Sequence, residues 1–281
     1  MNYRHAFHAG NFADVIKHAV LFRIVSRLLN KPAPFRVIET HAGAGLYDLG
    51  SAEAQRSSEW KDGIARIVDG DLDPPAAALI AGYLKAVRAC NPAGGLSAYP
   101  GSPLLVRSWL RATDRLLACE LAPQAAAALA RHLRGDRRAK ALAMDGWTAL
   151  AAFVPPKERR GLVMVDPPYE RPDEASLLVE GLSAAWRKWP TGIYLAWYPI
   201  KEPEPIAAFI RALRRSGIKR LLRAELIDAG KTGVPGLRGS GQIVVNPPWN
   251  LQGELQILFP ALANCLWPGQ TCTLRLEALD G

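Results

Sequence analysis

Gly161-Leu162-Val163-Met164-Val165-Asp166-Pro167-Pro168-Tyr169 is the stretch that decides the fold. Its first five residues form an uninterrupted apolar run, the pattern of a strand buried on both faces. The run stops at an acid, two prolines and an aromatic. Open α/β sheets place their ligand chemistry at such carboxyl strand ends. Proline has no N–H and a fixed φ, so Pro167 and Pro168 hold their carbonyls in a stiff, exposed turn. An acceptor carboxylate, a rigid row of carbonyls and a flat ring suit a planar amine such as the exocyclic nitrogen of adenine.

Outward from this strand, apolar strand-like runs alternate with helical patterns. Strands are expected at 35–39, 115–119, 139–143, 161–165, 192–197, 220–226 and 241–245. Helices are expected at 102–111, 123–133, 173–188, 203–216 and 251–262. An N-terminal helix, 11–29, starts at a capping Asn11 with Asp14 in its first turn. Strands separated by helices imply a mostly parallel, seven-stranded sheet covered on both faces. The last two strands are joined by a glycine-rich loop and are expected to form an antiparallel hairpin at one edge. Residues 51–99 show helical patterns and turn punctuation but no strand signal. They read as a helical subdomain inserted after the first strand, in a main domain of residues 1–50 and 100–281.

Three further strand ends carry small or acidic residues. Glu39-Thr40-His41-Ala42-Gly43-Ala44-Gly45 closes the first strand, and small residues there let backbone approach a ligand. A tight strand–helix turn explains the same glycines. The dinucleotide fingerprint is incomplete, because position 48 is Asp and no acid follows at the usual spacing. The acid appears instead as Glu120, after Leu116-Leu117-Ala118-Cys119, at a distance the insertion explains. Its carboxylate can accept from both hydroxyls of a ribose. Asp145 closes the next strand; it either positions an adenine or caps the helix from Gly146. Ribose, adenine and methyl-sulfonium anchors on successive strand ends suit S-adenosylmethionine.

These residues bring the chain close to a known family. It resembles class I S-adenosylmethionine-dependent methyltransferases with an Asp-Pro-Pro-Tyr turn. Within them it resembles the bacterial 23S ribosomal RNA adenine-N6 methyltransferase J family. The likeness rests on Tyr3-Arg4-His5-Ala6-Phe7-His8-Ala9-Gly10-Asn11, Ala13-Asp14-Val15, Lys17-His18 and Thr40 to Gly45. It continues through Tyr99-Pro100-Gly101-Ser102-Pro103, Asp166 to Glu170, Gly192-Ile193-Tyr194, Trp197-Tyr198-Pro199 and Asn246-Pro247-Pro248-Trp249, in order along the whole chain. The resemblance implies a Rossmann-like methyltransferase acting on N6 of one adenine, adenine 2030, of large-subunit ribosomal RNA. It implies cofactor contacts at Lys17, His18, His41, Ser102, Glu120, Asp145 and Gly146, to which the glycine turn adds Gly43, with catalysis at Asp166 and Tyr3 beside the base. Without it, His18 and His41 read as packed histidines.

The chemistry follows from the turn. The lone pair of adenine N6 is delocalised into the ring. Asp166 and the Pro167 carbonyl accept its two N–H bonds, localise that pair and aim it at the sulfonium methyl. Tyr169 stacks on the base, which must first leave its helix. Asn246-Pro247-Pro248-Trp249 imitates the turn, but it follows the last expected strand rather than the fourth. Modification of a DNA adenine or a protein glutamine amide, and a catalytically silent RNA-binding homologue, are the rival readings.

Bulk properties set the frame. The chain has 281 residues, 49% hydrophobic, with 35 basic against 26 acidic side chains and a net charge of +9. A basic excess fits a polyanionic partner. The clusters Arg211 to Arg220 and Arg131 to Lys140 either meet phosphates or are solvated helix ends. Cys90, Cys119, Cys265 and Cys272 lack zinc spacing and read as thiols of a reducing compartment. His5 and His8 have no carboxylate or cysteine at ligand spacing, so no metal is expected. No secretory signal or membrane-length apolar run is seen. The expectation is a cytoplasmic, membrane-free monomer whose partner is ribosomal RNA.

Overall fold

The structure, a computed structural model, describes residues 4–231 and 236–279. In chain order its elements are α1 (Phe12–Leu29), β1 (Arg36–Glu39), β2 (Leu46–Asp48), α2 (Ala52–Ser57), α3 (Ile64–Val68) and α4 (Pro74–Ala89). Next come β3 (Ala98–Pro100), α5 (Ser102–Trp109), β4 (Arg115–Glu120), α6 (Pro123–Leu133), β5 (Ala139–Ala143), α7 (Gly146–Phe153) and β6 (Gly161–Val165). The chain continues through α8 (Glu174–Lys188), β7 (Ile193–Ile200), α9 (Pro203–Arg215), β8 (Leu221–Asp228), β9 (Gly239–Val245), α10 (Leu251–Leu266) and β10 (Cys272–Ala278).

The main sheet runs β10-β8-β9-β7-β6-β1-β4-β5. From β7 to β5 all neighbours are parallel, while β9, β8 and β10 pair antiparallel. The α/β class and the mostly parallel sheet are as expected, but among the described residues the sheet has eight strands rather than seven. The additional strand is β10. It sits outside β8, so the β8–β9 hairpin lies inside the sheet and not at its edge. Leu274 and its neighbours are half exposed, so β10 lacks the continuous apolar run that marks the inner strands. The short β2–β3 ribbon also falls where no strand is expected.

The apolar run of β6 is explained by its two faces. Leu162 and Met164 join the core under α1 and α10, whereas Val163 and Val165 pack with Leu178 and Leu182 of α8. Each of these strand residues is at most 2% exposed. Burying a side chain of this kind contributes roughly 1.5–3 kcal/mol, so β6 is fixed in register from both sides.

Helix α1 begins as expected: the Asn11 side chain accepts from Asp14 N–H at 3.0 Å. Residues 51–99 contain α2, α3 and α4, with α4 against α1 and α10. Within 51–99, the helical stretch from Glu59 to Val68 is split at Gly63. A Cβ there would stand 2.1 Å from the Gly10 carbonyl, which accepts from Ile64 N–H at 2.8 Å. The turn before α1 is thereby closed onto this helical segment. No helix among the described residues is long and apolar enough to cross a membrane.

Candidate active site

Because β5, β4, β1 and β6 are adjacent and parallel, their carboxyl ends lie side by side. Glu39 pairs with Ala118 on one side and Met164 on the other, and Glu120 pairs with Ala143. The sheet therefore gathers Glu39, His41 and Gly43, then Glu120, then Asp145 and Gly146, then Asp166. These are the acids and glycines that the sequence singles out, together with Glu39, which opens the glycine turn.

Asp166 is held from α1. Lys17 Nζ donates to Asp166 Oδ2 at 2.6 Å and to Asp14 Oδ1 at 2.8 Å. Lys17 is buried, and its ammonium lies 5.6 Å from the centroid of the Trp197 ring. Burial works against this charge, but the carboxylates of Asp14 and Asp166 outweigh it and hold the pKa above the ordinary lysine value. Asp14 Oδ2 in turn accepts from Gly10 N–H at 2.9 Å and faces His5 Nε2 at 3.0 Å. A line of charge thus runs from the turn before α1, through Asp14 and Lys17, to Asp166. His5 and His8 both have carboxylate neighbours, Asp14 and Glu59, which their sequence spacing did not show.

The rest of the turn is fixed by its aromatic end. Tyr169 has φ +54°, rare for a bulky residue. Its hydroxyl donates to the Trp197 carbonyl at 2.8 Å, and the two rings meet edge to face at 5.7 Å. Trp197 therefore underlies both Lys17 and Tyr169.

Glu39 is perturbed in the opposite direction to Asp14. It is 1% exposed and Ser102 Oγ donates to its Oε2 at 2.6 Å, while Oε1 is buried with no hydrogen-bond partner. Burial pushes its pKa up to about 8, against the bond from Ser102. Glu120 closes the glycine turn: its oxygens accept from Gly43 N–H at 2.8 Å and Ala122 N–H at 2.7 Å. Gly43 has φ +65°, and a Cβ on it would stand 2.2 Å from the Tyr47 hydroxyl.

The histidines split. His41 faces Thr40 Oγ1 at 2.8 Å and packs edge-on against Trp147; burial lowers its pKa to about 4. A Cβ on Gly146 would come within 2.5 Å of its ring, so the two positions are one packed unit. His18 is sealed below the site. Its Nδ1 faces the Tyr99 hydroxyl at 2.7 Å, that hydroxyl faces Tyr83 at 2.9 Å, and burial lowers the histidine to about 3. Asp145 is a helix cap: its Oδ2 accepts from both N–H and hydroxyl of Thr148 at 2.8 Å. Tyr3 lies outside the described residues.

The look-alike turn is elsewhere. β9 runs antiparallel to β7, so Asn246 emerges beside Gly192, at the amino ends of the parallel strands. It follows the next-to-last strand, not the last as expected. Its Nδ2 donates to the carbonyls of Pro190 and Gly192 at 2.8 and 2.7 Å. The amide is spent on the protein's own turn.

Residues 32–277 match the family described as ribosomal RNA large subunit methyltransferase D, RlmJ. The chain is 41% identical to ribosomal RNA large subunit methyltransferase J of Escherichia coli (strain K12) over 271 residues, covering 96% of each protein. It is 37% identical to the Haemophilus influenzae protein of the same name over 278 residues, 99% of this chain and 98% of that one. A solved structure from Legionella pneumophila superposes with a TM-score of 0.88 at 32% identity, over 96% of this chain and 98% of that one.

Proposed function

The chain belongs to the family of ribosomal RNA large subunit methyltransferase D, RlmJ, and on that premise we propose that it transfers a methyl group from S-adenosylmethionine to adenine N6 of 23S ribosomal RNA, at adenine 2030. The observation that carries the reading is Asp166 at the end of β6, held by Lys17 beside three other strand ends that bear acids and glycines.

The site fits such a cofactor. Glu39 Oε1 is a buried acceptor without a partner, suited to a cationic group. The positive-φ turn at Gly43 leaves backbone within reach of a ligand. Each Glu120 oxygen keeps a second lone pair for a ribose hydroxyl. Gly146 and His41 form a flat wall by which Asp145 presents the α7 amino end to the adenine. Lys17, His18 and Ser102 then act mainly from behind: Lys17 sets Asp166, Ser102 sets Glu39, and His18 of α1 packs with Tyr83 and Tyr99. When bound, the cofactor supplies an electrophilic methyl group.

Asp166 works as an oriented acceptor. Its Oδ2 is committed to Lys17, which leaves Oδ1 and the Pro167 carbonyl for the two N–H bonds of the adenine amine. Those bonds localise the nitrogen lone pair and stabilise the positive charge that grows on it. The surplus proton then passes to Asp166 or to water. Tyr169, held by Trp197, offers its ring to the extruded base. Residues 51–99 are an insertion in a single methyltransferase domain of residues 1–50 and 100–281.

The test is Asp166→Ala with labelled cofactor and unmodified 23S RNA. Cofactor binding is retained and methyl transfer is lost; near-normal transfer to that adenine sinks the assignment. Mapping the product by nuclease digestion and mass spectrometry separates adenine N6 from any other acceptor.

A further inference from the structure

The Asn246-Pro247-Pro248-Trp249 turn has no part in that chemistry, yet it forms a distinctive surface. Trp249 is 85% exposed, the most exposed of the large hydrophobic side chains among the described residues. The guanidinium of Arg27 lies 5.4 Å from the ring centroid and steadies it. The turn walls a groove of about 510 Å³ with Pro190, Thr191, Lys219 and Arg220. Ligand sites run roughly 300–1,000 Å³, so the groove can take a nucleotide.

Its charge is one-sided. Lys219 and Arg220 are exposed, and no acidic residue is among those that line it. Two other members of the basic clusters are neutralised locally: Arg214 pairs with Glu277, and Arg138 with Asp136. Arg220 has φ +57°, and its carbonyl accepts from Asn246 N–H at 2.9 Å, which binds the basic turn to the tryptophan turn. An exposed indole beside two unneutralised cations is the pairing that single-stranded nucleic acid requires: an aromatic face for a base and positive charge for its phosphates.

We propose that this groove binds an unpaired nucleotide segment of the RNA substrate, with a base stacked on Trp249 and its phosphates on Lys219 and Arg220. It lies at the amino ends of the parallel strands and Asp166 at their carboxyl ends, one strand length apart, roughly 15 Å for five residues. The groove therefore engages a different part of the RNA from the segment that carries the reacting adenine. The proposal rests on the RNA-methylating reading above for the identity of the RNA.

The test measures binding, without methyl transfer. A labelled 23S RNA fragment that contains the methylated adenine and its flanking single strands is titrated by fluorescence anisotropy at several salt concentrations. Trp249→Ala weakens binding roughly 5- to 150-fold, the range for loss of one base–aromatic stack, and Trp249→Phe restores most of it. The double variant Lys219→Ala, Arg220→Ala lowers the slope of log K against log salt by about 1–2. Thermal melting checks that each variant is folded. Unchanged affinity in folded Trp249→Ala overturns the proposal. A tryptophan effect with no change in salt slope for the double variant also overturns it, because the phosphates would then not lie on Lys219 and Arg220. If the wild type methylates no RNA while these variants still lose RNA affinity, the methyltransferase reading falls and the groove stands.

Discussion

Burial of Glu39 makes cofactor binding a proton-releasing step. In the free protein its pKa is about 8, so at pH 7 the side chain is protonated. A cationic group placed against Oε1 requires the carboxylate. At pH 7 ionising it costs about 1.4 kcal/mol, one pKa unit. Binding then expels close to one proton, and affinity rises with pH. With a bound-state pKa well under 6, Kd falls roughly 50-fold between pH 6 and pH 8 and levels off above. The stability of the free protein moves the opposite way. The folded pKa is raised above the ordinary value of 4.5, so the folded state holds the extra proton between about 4.5 and about 8. Stability is highest below that window and falls as pH rises through it. Isothermal titration of S-adenosylmethionine, in buffers of differing ionisation enthalpy, counts the protons. His41 and His18 are neutral throughout the range, with values of about 4 and about 3. Glu39→Gln isolates the effect from His8, whose pKa is raised by its bond to Glu59. A ligand without the amino acid moiety, such as 5′-deoxyadenosine, shows no such slope. A flat Kd from pH 6 to 8, or the same slope in Glu39→Gln, refutes the reasoning.

Lys17→Met leaves two carboxylates, Asp14 and Asp166, without their shared cation; removing one partner of a buried pair costs about 3–5 kcal/mol. Denaturant melts should show that loss, and Asp14→Asn in the same chain should recover part of it. Gly146→Ala forces a methyl group to within 2.5 Å of the His41 ring and the Thr40 carbonyl. Overpacking of this kind costs about 1–3 kcal/mol, and cofactor affinity measured by titration should fall with it. Asn246→Ala loses two hydrogen bonds and strains a left-handed backbone. Its melting temperature should drop, and Asn246→Gly separates the lost bonds from the strain. A folded Asn246→Ala protein devoid of methyl transfer would move the catalytic turn to the other end of the sheet.

What the sequence made legible is what depends on neighbours along the chain. The β6 run declared itself because both of its faces are buried. Asn11 and Asp14 declared the start of α1 because a helix cap is local. Glu120 could be found past the insertion because an acid directly followed an apolar strand. By contrast, β10 is half exposed and carries no such run, so the sheet was expected to be one strand short and the β8–β9 hairpin was placed at its edge. The bond between Lys17 and Asp166 spans 149 positions, and nothing local to either residue announces it. The acid at Glu39 was visible at the end of β1, but its enclosure depends on Ser102 from α5 and on neighbouring strands.

The same contrast explains why Asp166 and Asn246, nearly equal as turns, differ as chemistry. Each follows a buried strand and precedes two prolines and an aromatic. Strand direction separates them: β6 is parallel to β1 and β4, so its end meets Glu39 and Glu120, while β9 is reversed and its end meets the α8–β7 turn. The first turn has an outside cation that fixes one carboxylate oxygen and leaves the other open to an amine. The second spends its amide donors on Pro190 and Gly192 and leaves its aromatic in solvent. An acceptor pair aimed at one point can activate a nitrogen; an exposed indole beside Lys219 and Arg220 can only hold a base. Topology, rather than the four-residue pattern, sets one turn beside Glu39 and Glu120 and the other beside Lys219 and Arg220, and the proposed roles of transfer and binding rest on that difference.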